Sequence, residues 1–318
     1  MQSYAADLAA IQAAHHRIRD GVHRTPVLRC SALDAMAEKS LHFKCENFQK
    51  VGAFKMRGAL NAILSLPEAV RARGVVTHSS GNFAQAVALA ARLSGIPAHI
   101  VMPSNSPVVK RRAVEGYGGQ VVLCEPTLAA RESTAAAIVE STGGELLHPF
   151  DQDEVIAGQG TVGLELFEQV AGLQAVVVPI GGGGLISGIA LAMRELNPRV
   201  RIFGAEPSGA DDAARSKQAG EWLLQTAPDT IADGLLTSLG ERTWPVVRDV
   251  VEDIFVVDDR EIRHATRLIL ERMKILVEPS AATVLAAALR PESRALTSLQ
   301  EVGLVLSGGN VDLDKSPW

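Results

Sequence analysis

The sequence has 318 residues, 47% of them hydrophobic and 4% aromatic, and carries a formal net charge of −5. This length is sufficient for one large domain or two smaller ones with substantial hydrophobic cores. A mildly acidic chain without long apolar runs is expected neither to bind nucleic acid nor to enter a membrane, and three scattered cysteines (Cys30, Cys45 and Cys124) favour a reducing cytoplasm over a disulfide framework.

The N-terminal part of the chain alternates between helical and extended patterns. Apolar residues at every third or fourth position predict a helix over residues 4–20. An extended segment follows at 25–28, because a residue that precedes proline avoids the helical region. A strand is predicted over residues 40–46, and the helix after it is expected to end near residue 66.

Residues 74–151 show a regular alternation of apolar strands and helices. The strands are predicted over 75–78, 98–102, 121–124 and 146–148. The helices between them are predicted over 83–94, 106–117 and 127–141, with glycines that end each helix. Strands separated by single helices form right-handed βαβ units in an open parallel sheet, so this segment is predicted to be a small domain of its own.

An apolar, β-branched stretch over residues 175–180 predicts a strand that is buried on both faces of a parallel sheet. Four glycines follow at 181–184, and a helix is predicted over 185–196. The N–H groups of such a turn and the helix dipole attract an anion, so we predict that a phosphate binds here. No Lys-Ser/Thr pair follows the glycines, which excludes a P-loop, whereas Glu206 at the end of the next strand is compatible with a dinucleotide site.

The remaining elements of the C-terminal half follow the strand and helix pattern more loosely. In chain order they are a helix over 157–172, a strand over 200–205, a strand over 254–257, a helix over 261–277, a helix that begins at Glu278-Pro279, and a strand over 302–306. The helix over 261–277 is predicted from apolar residues that keep a 3.6-residue period.

Short motifs occur along nearly the whole chain in a distinctive order and spacing. They are Thr25-Pro26, Phe54-Lys55-Met56-Arg57-Gly58-Ala59, Ser79-Ser80-Gly81-Asn82, Ile156-Ala157-Gly158-Gln159-Gly160-Thr161, Gly181-Gly182-Gly183-Gly184, Glu206-Pro207, Ala232-Asp233-Gly234, Glu278-Pro279 and Ser307-Gly308-Gly309-Asn310. This set resembles the motifs of fold type II pyridoxal-phosphate enzymes of the serine/threonine dehydratase and serine racemase group.

The resemblance implies an α/β fold similar to that of the tryptophan synthase β chain, with two open, twisted, mainly parallel sheets flanked by helices. It also implies two domains that are not continuous in sequence. A large domain that binds pyridoxal 5′-phosphate (PLP) comprises residues 1–67 and 152–318, and a small mobile domain comprises residues 74–151. Residues 68–73 are the expected hinge between them.

The resemblance assigns the PLP cofactor to residues from both parts of the chain. Lys55 is the lysine that forms a Schiff base with PLP, and it also serves as the base that removes the Cα proton of the substrate. Asn82 hydrogen-bonds the phenolic oxygen of the ring, although an asparagine here also suits a helix N-cap. The other expected contacts are Phe54 on the ring face, Glu278 beside the ring, Ser307 at the pyridine nitrogen, and Gly181, Gly182, Gly183, Gly184 and the Leu185 N–H around the phosphate.

Ser307 bears on the type of reaction. A hydroxyl group, in place of a carboxylate, leaves the pyridine nitrogen largely unprotonated and weakens the ring as an electron sink. A weaker sink disfavours a long-lived carbanion and favours rapid loss of a β-leaving group. The preferred prediction is therefore dehydration and deamination of a β-hydroxy-α-amino acid of the serine or threonine type to a 2-oxo acid and ammonia.

Ser80 keeps a second reaction open. In racemase-like members of the family, the matching serine lies on the ring face opposite the lysine, where it can deliver or remove a proton. Serine racemisation, with or without dehydratase activity, is therefore the alternative prediction. A third hypothesis is a non-catalytic sensor that retains the pocket, which the intact Lys55, Asn82 and glycine loop disfavour.

Differences from the family predict less polar surroundings for the substrate. Phe83 stands where many relatives carry histidine, and Thr237 stands where the racemase carries serine. A site with fewer hydrogen-bonding groups is expected to accept a larger β-substituent, such as the phenyl group of phenylserine. The residues expected around the substrate are Ser79, Ser80, Asn82, Phe83, Arg131, Gly234 and Thr237, although Arg131 is equally compatible with a surface position on its helix.

The resemblance also implies a divalent-cation site. Glu206 and Asp212 supply carboxylates and Ala210 supplies a backbone carbonyl, a ligand set that suits Mg²⁺ or Ca²⁺. This interpretation replaces the ribose-binding role of Glu206, and its alternative is a pair of acidic residues that stabilise a helix N-terminus. By family analogy alone, the chain is expected to form a homodimer.

Overall fold

The computed structural model describes residues 4–290 and 293–314. Its helices are α1 (Leu8–Ile18), α2 (Ser31–Ala37), α3 (Lys55–Ser65), α4 (Glu68–Arg71), α5 (Asn82–Leu93), α6 (Val108–Gly116), α7 (Leu128–Thr142), α8 (Asp153–Gln169), α9 (Gly184–Leu196), α10 (Asp212–Ala219), α11 (Trp244–Val250), α12 (Asp259–Leu268) and α13 (Pro279–Leu289). Its strands are β1 (Val27–Leu28), β2 (Ser40–Cys45), β3 (Val75–His78), β4 (Ala98–Pro103), β5 (Gln120–Cys124), β6 (Glu145–Leu146), β7 (Ala175–Pro179), β8 (Arg201–Pro207), β9 (Asp253–Val257) and β10 (Glu301–Leu306). The predicted large domain also includes residues 1–3, 291–292 and 315–318, which lie outside the described residues.

The larger sheet contains six strands among the described residues, in the order β1-β2-β10-β7-β8-β9. The strands from β2 to β9 are parallel, and β1 runs antiparallel to β2. The central strand β7 is buried along its whole length, as its β-branched sequence predicts. Val176 and Val178 face a core formed with α8 and α9, whereas Ala175 and Val177 face a core formed with α12 and α13.

The smaller sheet is parallel and has the order β5-β4-β3-β6 in the described part of the chain. Its strands share a core with α3 and α5. Together the two sheets confirm the predicted α/β fold with two mainly parallel sheets flanked by helices. In open sheets of this kind, ligands bind at the carboxyl ends of the strands, so a ligand is expected near the segments that follow β3, β7 and β10.

Helices α8 and α9 approach each other closely where both carry glycine. A Cβ atom on Gly188 would lie 2.5 Å from Gly160 N and 2.5 Å from Ile156 O, which is closer than a real Cβ can approach. Glycine at this position therefore permits direct backbone contact between the helices. This packing fixes the position of α9, whose N-terminus carries the glycine loop.

Two predicted boundaries differ from the structure. The helix predicted over 157–172 is α8, which begins earlier in the chain and ends before Val170 because Val170 adopts an extended conformation. The strand predicted over 146–148 is the shorter β6, whose residues Glu145 and Leu146 pair with β3. Both differences lie at the end of a helix or strand, where tertiary packing decides the boundary.

The helix predicted over 261–277 is also too long. The α-helix ends at Leu268 and passes into a π-helical turn, Ile269–Met273. Lys274 follows with a φ of 61°, a left-handed conformation that stops the helix. The apolar period continues through this region, so the periodicity alone does not reveal where the helix ends.

Sequence periodicity does not reveal α2 and α11, each of which has seven residues. Helices of this length complete only about two turns, which is too few to establish an apolar period. Across residues 4–290 and 293–314, every helix is too short or too polar to span a bilayer.

Candidate active site

Lys55 is the first residue of α3, and the end of β10 fixes where that helix begins. Ala53 forms a β-bridge with Gly308, and Phe54 N donates a hydrogen bond to Ser307 O at 3.0 Å. The sheet thus brings together the predicted Schiff-base lysine and the serine predicted to face the pyridine nitrogen. Their positions agree with a shared site, although the role of each remains a prediction.

The Lys55 amine lies in a largely aromatic enclosure. Its Nζ donates a hydrogen bond to Pro149 O at 2.7 Å and lies 5.0, 5.7 and 6.0 Å from the ring centroids of Phe54, Phe83 and Phe150. Burial lowers the pKa of Lys55 to about 8. Because a neutral amine is both a nucleophile and a base, this enclosure prepares Lys55 for reaction with a carbonyl group.

The lowered pKa predicts a distinctive pH dependence for chemical labelling of Lys55. In the protein without cofactor, acylation of Lys55 is expected to accelerate about tenfold per pH unit up to about pH 8 and then to level off, because only the neutral amine reacts. Solvent-exposed lysines titrate near pH ~10.4, so their labelling should keep rising. Peptide mass spectrometry measures both in one digest. A Lys55 profile that follows the exposed lysines would contradict the lowered pKa.

The glycine loop joins β7 to α9 under tight steric constraints. Gly183 has a φ of 83°, a left-handed conformation that favours glycine. A Cβ atom on Gly182 would lie 2.3 Å from Phe150 Cγ, and one on Gly184 would lie 3.0 Å from Phe150 O. Thr243 Oγ1 anchors the loop by donating a hydrogen bond to Gly182 O at 2.8 Å. The loop leads directly into the positive end of the α9 dipole, which is the arrangement predicted to hold a phosphate.

Asn82 is the first residue of α5 and reaches from the smaller sheet to the end of β10. Its Nδ2 lies 3.1 and 3.0 Å from the two carboxylate oxygens of Glu278, and its Oδ1 accepts a hydrogen bond from Asn310 Nδ2 at 2.9 Å. The ring centroid of the next residue, Phe83, lies 5.7 Å from Lys55 Nζ, so the start of α5 lies beside the Lys55 amine. Four predicted site residues are therefore close together in the structure, namely Lys55, Asn82, Phe83 and Glu278.

The loop between β3 and α5 borders open space. A Cβ atom built on Gly81 would meet no atom within 4 Å. Ser79 and Ser80 are partly exposed, and Gly81 N donates a long hydrogen bond of 3.4 Å to Ser79 Oγ. The space beside these serines is available to a small molecule, which agrees with their predicted place next to the substrate.

Gly234 and Thr237 lie in the long segment between α10 and α11, and they contact the glycine loop and α13. Gly234 N donates a hydrogen bond to Ser280 Oγ at 2.9 Å. A Cβ atom on Gly181 would lie 3.4 Å from Thr237 Oγ1 and 3.2 Å from Gly234 O. Both residues therefore border the loop predicted to hold the phosphate.

Arg131 lies on α7, close to the carboxyl end of β3. Its positive charge, together with burial, lowers the pKa of His78, the last residue of β3. The Nε of Arg131 is buried and has no hydrogen-bond partner. The structure thus places Arg131 beside the residue that precedes Ser79, at the edge of the site.

His148 is a site residue that the sequence analysis did not identify. Its Nδ1 accepts a hydrogen bond from Asp151 N at 2.8 Å, and its ring lies 4.6 Å from that of Phe150. Burial lowers the pKa of His148 to about 4, so the imidazole is neutral near pH 7. It fixes the turn that presents Pro149 O and the Phe150 ring to Lys55. The His-Pro-Phe run directly after a short strand is the sequence signal for this turn.

The predicted cation ligands lie at the N-terminus of α10. The carboxylate of Glu206 is fully buried and accepts hydrogen bonds from Ala213 N and Ala214 N, at 3.1 and 2.9 Å. Burial and the nearby Asp212 raise the pKa of Glu206 well above its usual value. No group of three or more His, Cys, Asp or Glu side chains arranged for a metal occurs in the described residues. Buried carboxylates are ligands of the type that a hard divalent cation prefers, but each of these already accepts backbone hydrogen bonds, Asp212 Oδ2 from Leu239 N at 3.1 Å.

Comparison with known families accounts for this arrangement. A sequence model of the family described as "Pyridoxal-phosphate dependent enzyme" matches residues 18–308. The chain belongs to this family. Members of the pyridoxal-phosphate family bind PLP, and the residues of this site fit that cofactor: Lys55 offers an amine of lowered pKa, the loop of Gly182 and Gly183 has no room for side chains, and the buried Ser307 lies beside α3.

Individual relatives within the pyridoxal-phosphate family cover nearly the whole chain. The chain is 52% identical to a serine racemase of Oryza sativa subsp. indica over 98% of its length and 92% of that protein. It is 48% identical to a β-hydroxyaspartate dehydratase of Paracoccus denitrificans over 96% of each protein. The solved structure of maize serine racemase superimposes with a TM-score of 0.97 at 52% identity and covers 98% of this chain and 95% of that one.

Proposed function

We propose that this PLP-dependent enzyme is an amino-acid racemase of the serine racemase type that also dehydrates β-hydroxy-α-amino acids. The sequence alone favours the dehydratase reaction, and both reactions begin with removal of the Cα proton. The observation that carries the proposal is the contact of Asn82 with Glu278 and Asn310 at the start of α5, directly after the Ser79–Gly81 loop, together with the Phe83 ring 5.7 Å from Lys55 Nζ. Identities near 50% to serine racemases support the same assignment.

Each residue of the site has a distinct part in this proposal. When bound, PLP supplies the electron sink that stabilises negative charge at the substrate Cα. The Lys55 amine exchanges the Cα proton on one face, and the Ser80 hydroxyl exchanges it on the other face. Ser79 and the N–H groups around Gly81 hold the substrate carboxylate, while Asn82 donates a hydrogen bond to the phenolic oxygen of the cofactor.

Replacement of Ser80 by alanine tests this division of roles. We expect S80A to slow interconversion of L- and D-serine by roughly 10²–10⁴-fold, the usual contribution of a positioned acid or base. Release of 2-oxo acid from L-serine should change far less, because elimination needs a base on one face only. Chiral chromatography and 2-oxo acid assays measure the two rates. S133A, which alters an exposed serine on α7, is the matched control. Equal losses of both reactions in S80A would contradict the proposed role.

The proposed substrate is a β-hydroxy-α-amino acid, and two features of the site favour different β-substituents. The aromatic rings of Phe83 and Phe150 near Lys55 support an apolar group such as the phenyl of phenylserine. The unpaired Nε of Arg131 and the β-hydroxyaspartate dehydratase relative support 3-hydroxyaspartate instead. A panel of serine, threonine, phenylserine and 3-hydroxyaspartate separates these candidates. Rapid turnover of serine without any turnover of phenylserine would exclude the bulky-substrate proposal.

The cation site is proposed to bind Mg²⁺ or Ca²⁺ through Glu206, Asp212 and the carbonyl of Ala210. A cation would neutralise two carboxylates that share a buried environment, so its removal should destabilise the protein. We expect about 1 mM Ca²⁺ or Mg²⁺ to raise the thermal unfolding midpoint of chelator-treated protein, with a gain of about 2–3 kcal/mol at 100-fold excess over Kd. E206Q should abolish this gain, whereas E301Q, a change in a partly exposed carboxylate elsewhere, should retain it. An unchanged midpoint in the unsubstituted protein would contradict the site.

Two further proposals concern the organisation of the protein. The division into a large domain (1–67 and 152–318), a hinge (68–73) and a small mobile domain (74–151) follows the two sheets, and limited proteolysis around the hinge tests it. A homodimer is proposed by family analogy, and a cytoplasmic location is proposed from the three scattered cysteines. Sedimentation velocity measures the oligomeric state directly.

A further inference from the structure

Glu278 is a buried carboxylate for which the reaction described above has no direct use. It lies immediately before α13, is 4% exposed, and its backbone N donates a hydrogen bond to Gly308 O at 3.0 Å. Both side-chain oxygens accept from Asn82 Nδ2, and Asn310 N donates to Oε2 at 3.3 Å. The carboxylate therefore connects the first turn of α5 to the segment that follows β10.

The contacts of Asn82 define the orientation of its side-chain amide. Asn82 Oδ1 accepts from Asn310 Nδ2, which also donates to Val51 O at 2.7 Å. Only the nitrogen of the Asn82 amide can therefore face Glu278. The two carboxylate oxygens of Glu278 lie too close together for each to accept a different hydrogen of Asn82 Nδ2. Both oxygens therefore accept from the same N–H. The second N–H of Asn82 Nδ2 is left for another acceptor.

We propose that Glu278 is a positioning residue that acts through Asn82. It holds the N-terminus of α5 against the end of β10 and orients the Asn82 amide so that its second N–H donates to the phenolic oxygen of the cofactor. The proposal rests on the role of Asn82 proposed above, and it holds whether racemisation or elimination dominates.

Charged side chains from separate parts of the chain act on Glu278. Burial raises the pKa of Glu278 to about 7, and Asp233 acts in the same direction, whereas Lys110 opposes it. Lys110 Nζ lies 2.7 Å from Asp233 Oδ2, so this pair also joins α6 to the segment before Gly234. The negative charge of Glu278 in turn favours the protonated form of Lys55. Neutralising Glu278 thus has two separable consequences, one at Asn82 and one at Lys55.

A double-mutant cycle separates these consequences. Fluorescence titration of the cofactor-free protein with PLP gives the Kd of the parent, E278Q, N82A and the double variant. We expect roughly tenfold weaker binding in each single variant, because N82A removes the donor to the cofactor and E278Q exchanges the charged acceptor of Asn82 for a neutral one. The double variant should bind no more weakly than N82A, because Glu278 acts through Asn82. Independent, additive losses would overturn the proposal.

Amide hydrogen exchange of the cofactor-free protein supplies a readout that does not depend on activity. In E278Q, residues 79–86 should exchange several-fold faster than in the parent, while the rest of the smaller sheet is unchanged. N310A removes the hydrogen bond that Asn82 Oδ1 accepts from Asn310 Nδ2. It therefore serves in place of E278Q if E278Q does not fold. E301Q is the matched control and should leave exchange unaltered. Parent-like exchange at residues 79–86 in E278Q and N310A would overturn the proposal, and failure of the parent to racemise serine would leave this result unaffected.

Discussion

Replacing Lys55 with alanine is expected to reduce both serine racemisation and 2-oxo acid release by about 10⁴-fold, the upper range for loss of a positioned acid–base group. The amine of Lys55 is the group that reacts with the cofactor aldehyde and also the base that exchanges the Cα proton, so one substitution removes two functions. The visible absorbance that arises when PLP joins Lys55 should disappear in K55A. Enantiomer analysis, ammonia release and an absorbance spectrum of the PLP-supplemented protein measure these effects.

Two control variants make this result specific to the amine. K39A removes a lysine before β2 and should leave the rates and the spectrum unchanged. K55R keeps a positive charge at the same place, but an arginine is not deprotonated near pH 7 and cannot act as nucleophile or base. K55R should therefore be as inactive as K55A. Retention of the absorbance or of appreciable turnover in K55A would remove Lys55 from the centre of the reaction.

The parts of the fold that the sequence predicts are those in which local pattern and tertiary packing agree. The strand β7 is apolar because it is buried on both faces, and the glycine loop after it is constrained by Phe150 and Thr243. The buried strand and the turn of glycines follow from residue type alone, whereas the contacts of Phe150 and Thr243 do not. The short helices α2 and α11 and the left-handed Lys274 are decided by neighbouring elements, and their local sequence carries little signal.

The candidate site shows the same limit more clearly. The family motifs indicate Lys55, Asn82 and Ser307 individually, and the structure brings these distant residues together. They do not indicate that Asn82 binds Glu278, or that Pro149 O accepts a hydrogen bond from Lys55. Such partnerships depend on how the two sheets are placed relative to each other, which no local pattern encodes. The sequence therefore indicates candidate residues more readily than the contacts that orient them.

Arg57, two residues after Lys55, belongs to a family motif, but the motif does not indicate which residues it contacts. Its guanidinium group makes bidentate contacts with two buried carboxylates: Nε and Nη2 lie 2.8 Å from Glu46 oxygens, and Nη1 and Nη2 lie 2.7 and 2.9 Å from Glu165 oxygens. Lys44 Nζ donates to Glu165 as well. Although burial alone would raise it, Arg57 and Lys44 hold the pKa of Glu165 below its usual value. The four residues form a buried, charge-balanced cluster beneath the start of α3.

Removing Arg57 from this cluster should be strongly destabilising. In R57A, the carboxylates of Glu46 and Glu165 stay buried with only Lys44 to balance them, and breaking a buried pair in this way costs about 3–5 kcal/mol. R24A removes an exposed arginine that pairs with Glu168 at 2.9 Å, so its cost should stay below about 1 kcal/mol. Urea unfolding of the cofactor-free proteins gives both free energies.

The comparison between these two arginines tests whether the motif serves stability as well as chemistry. The cluster fixes the segment from Glu46 to Arg57, and that segment determines where the Lys55 amine lies relative to Ser307. If R57A folds, it should bind PLP more weakly than R24A because the start of α3 is no longer held in place. Equal unfolding free energies for R57A and R24A would show that the buried charges find other partners, and the motif arginine would then need a different explanation.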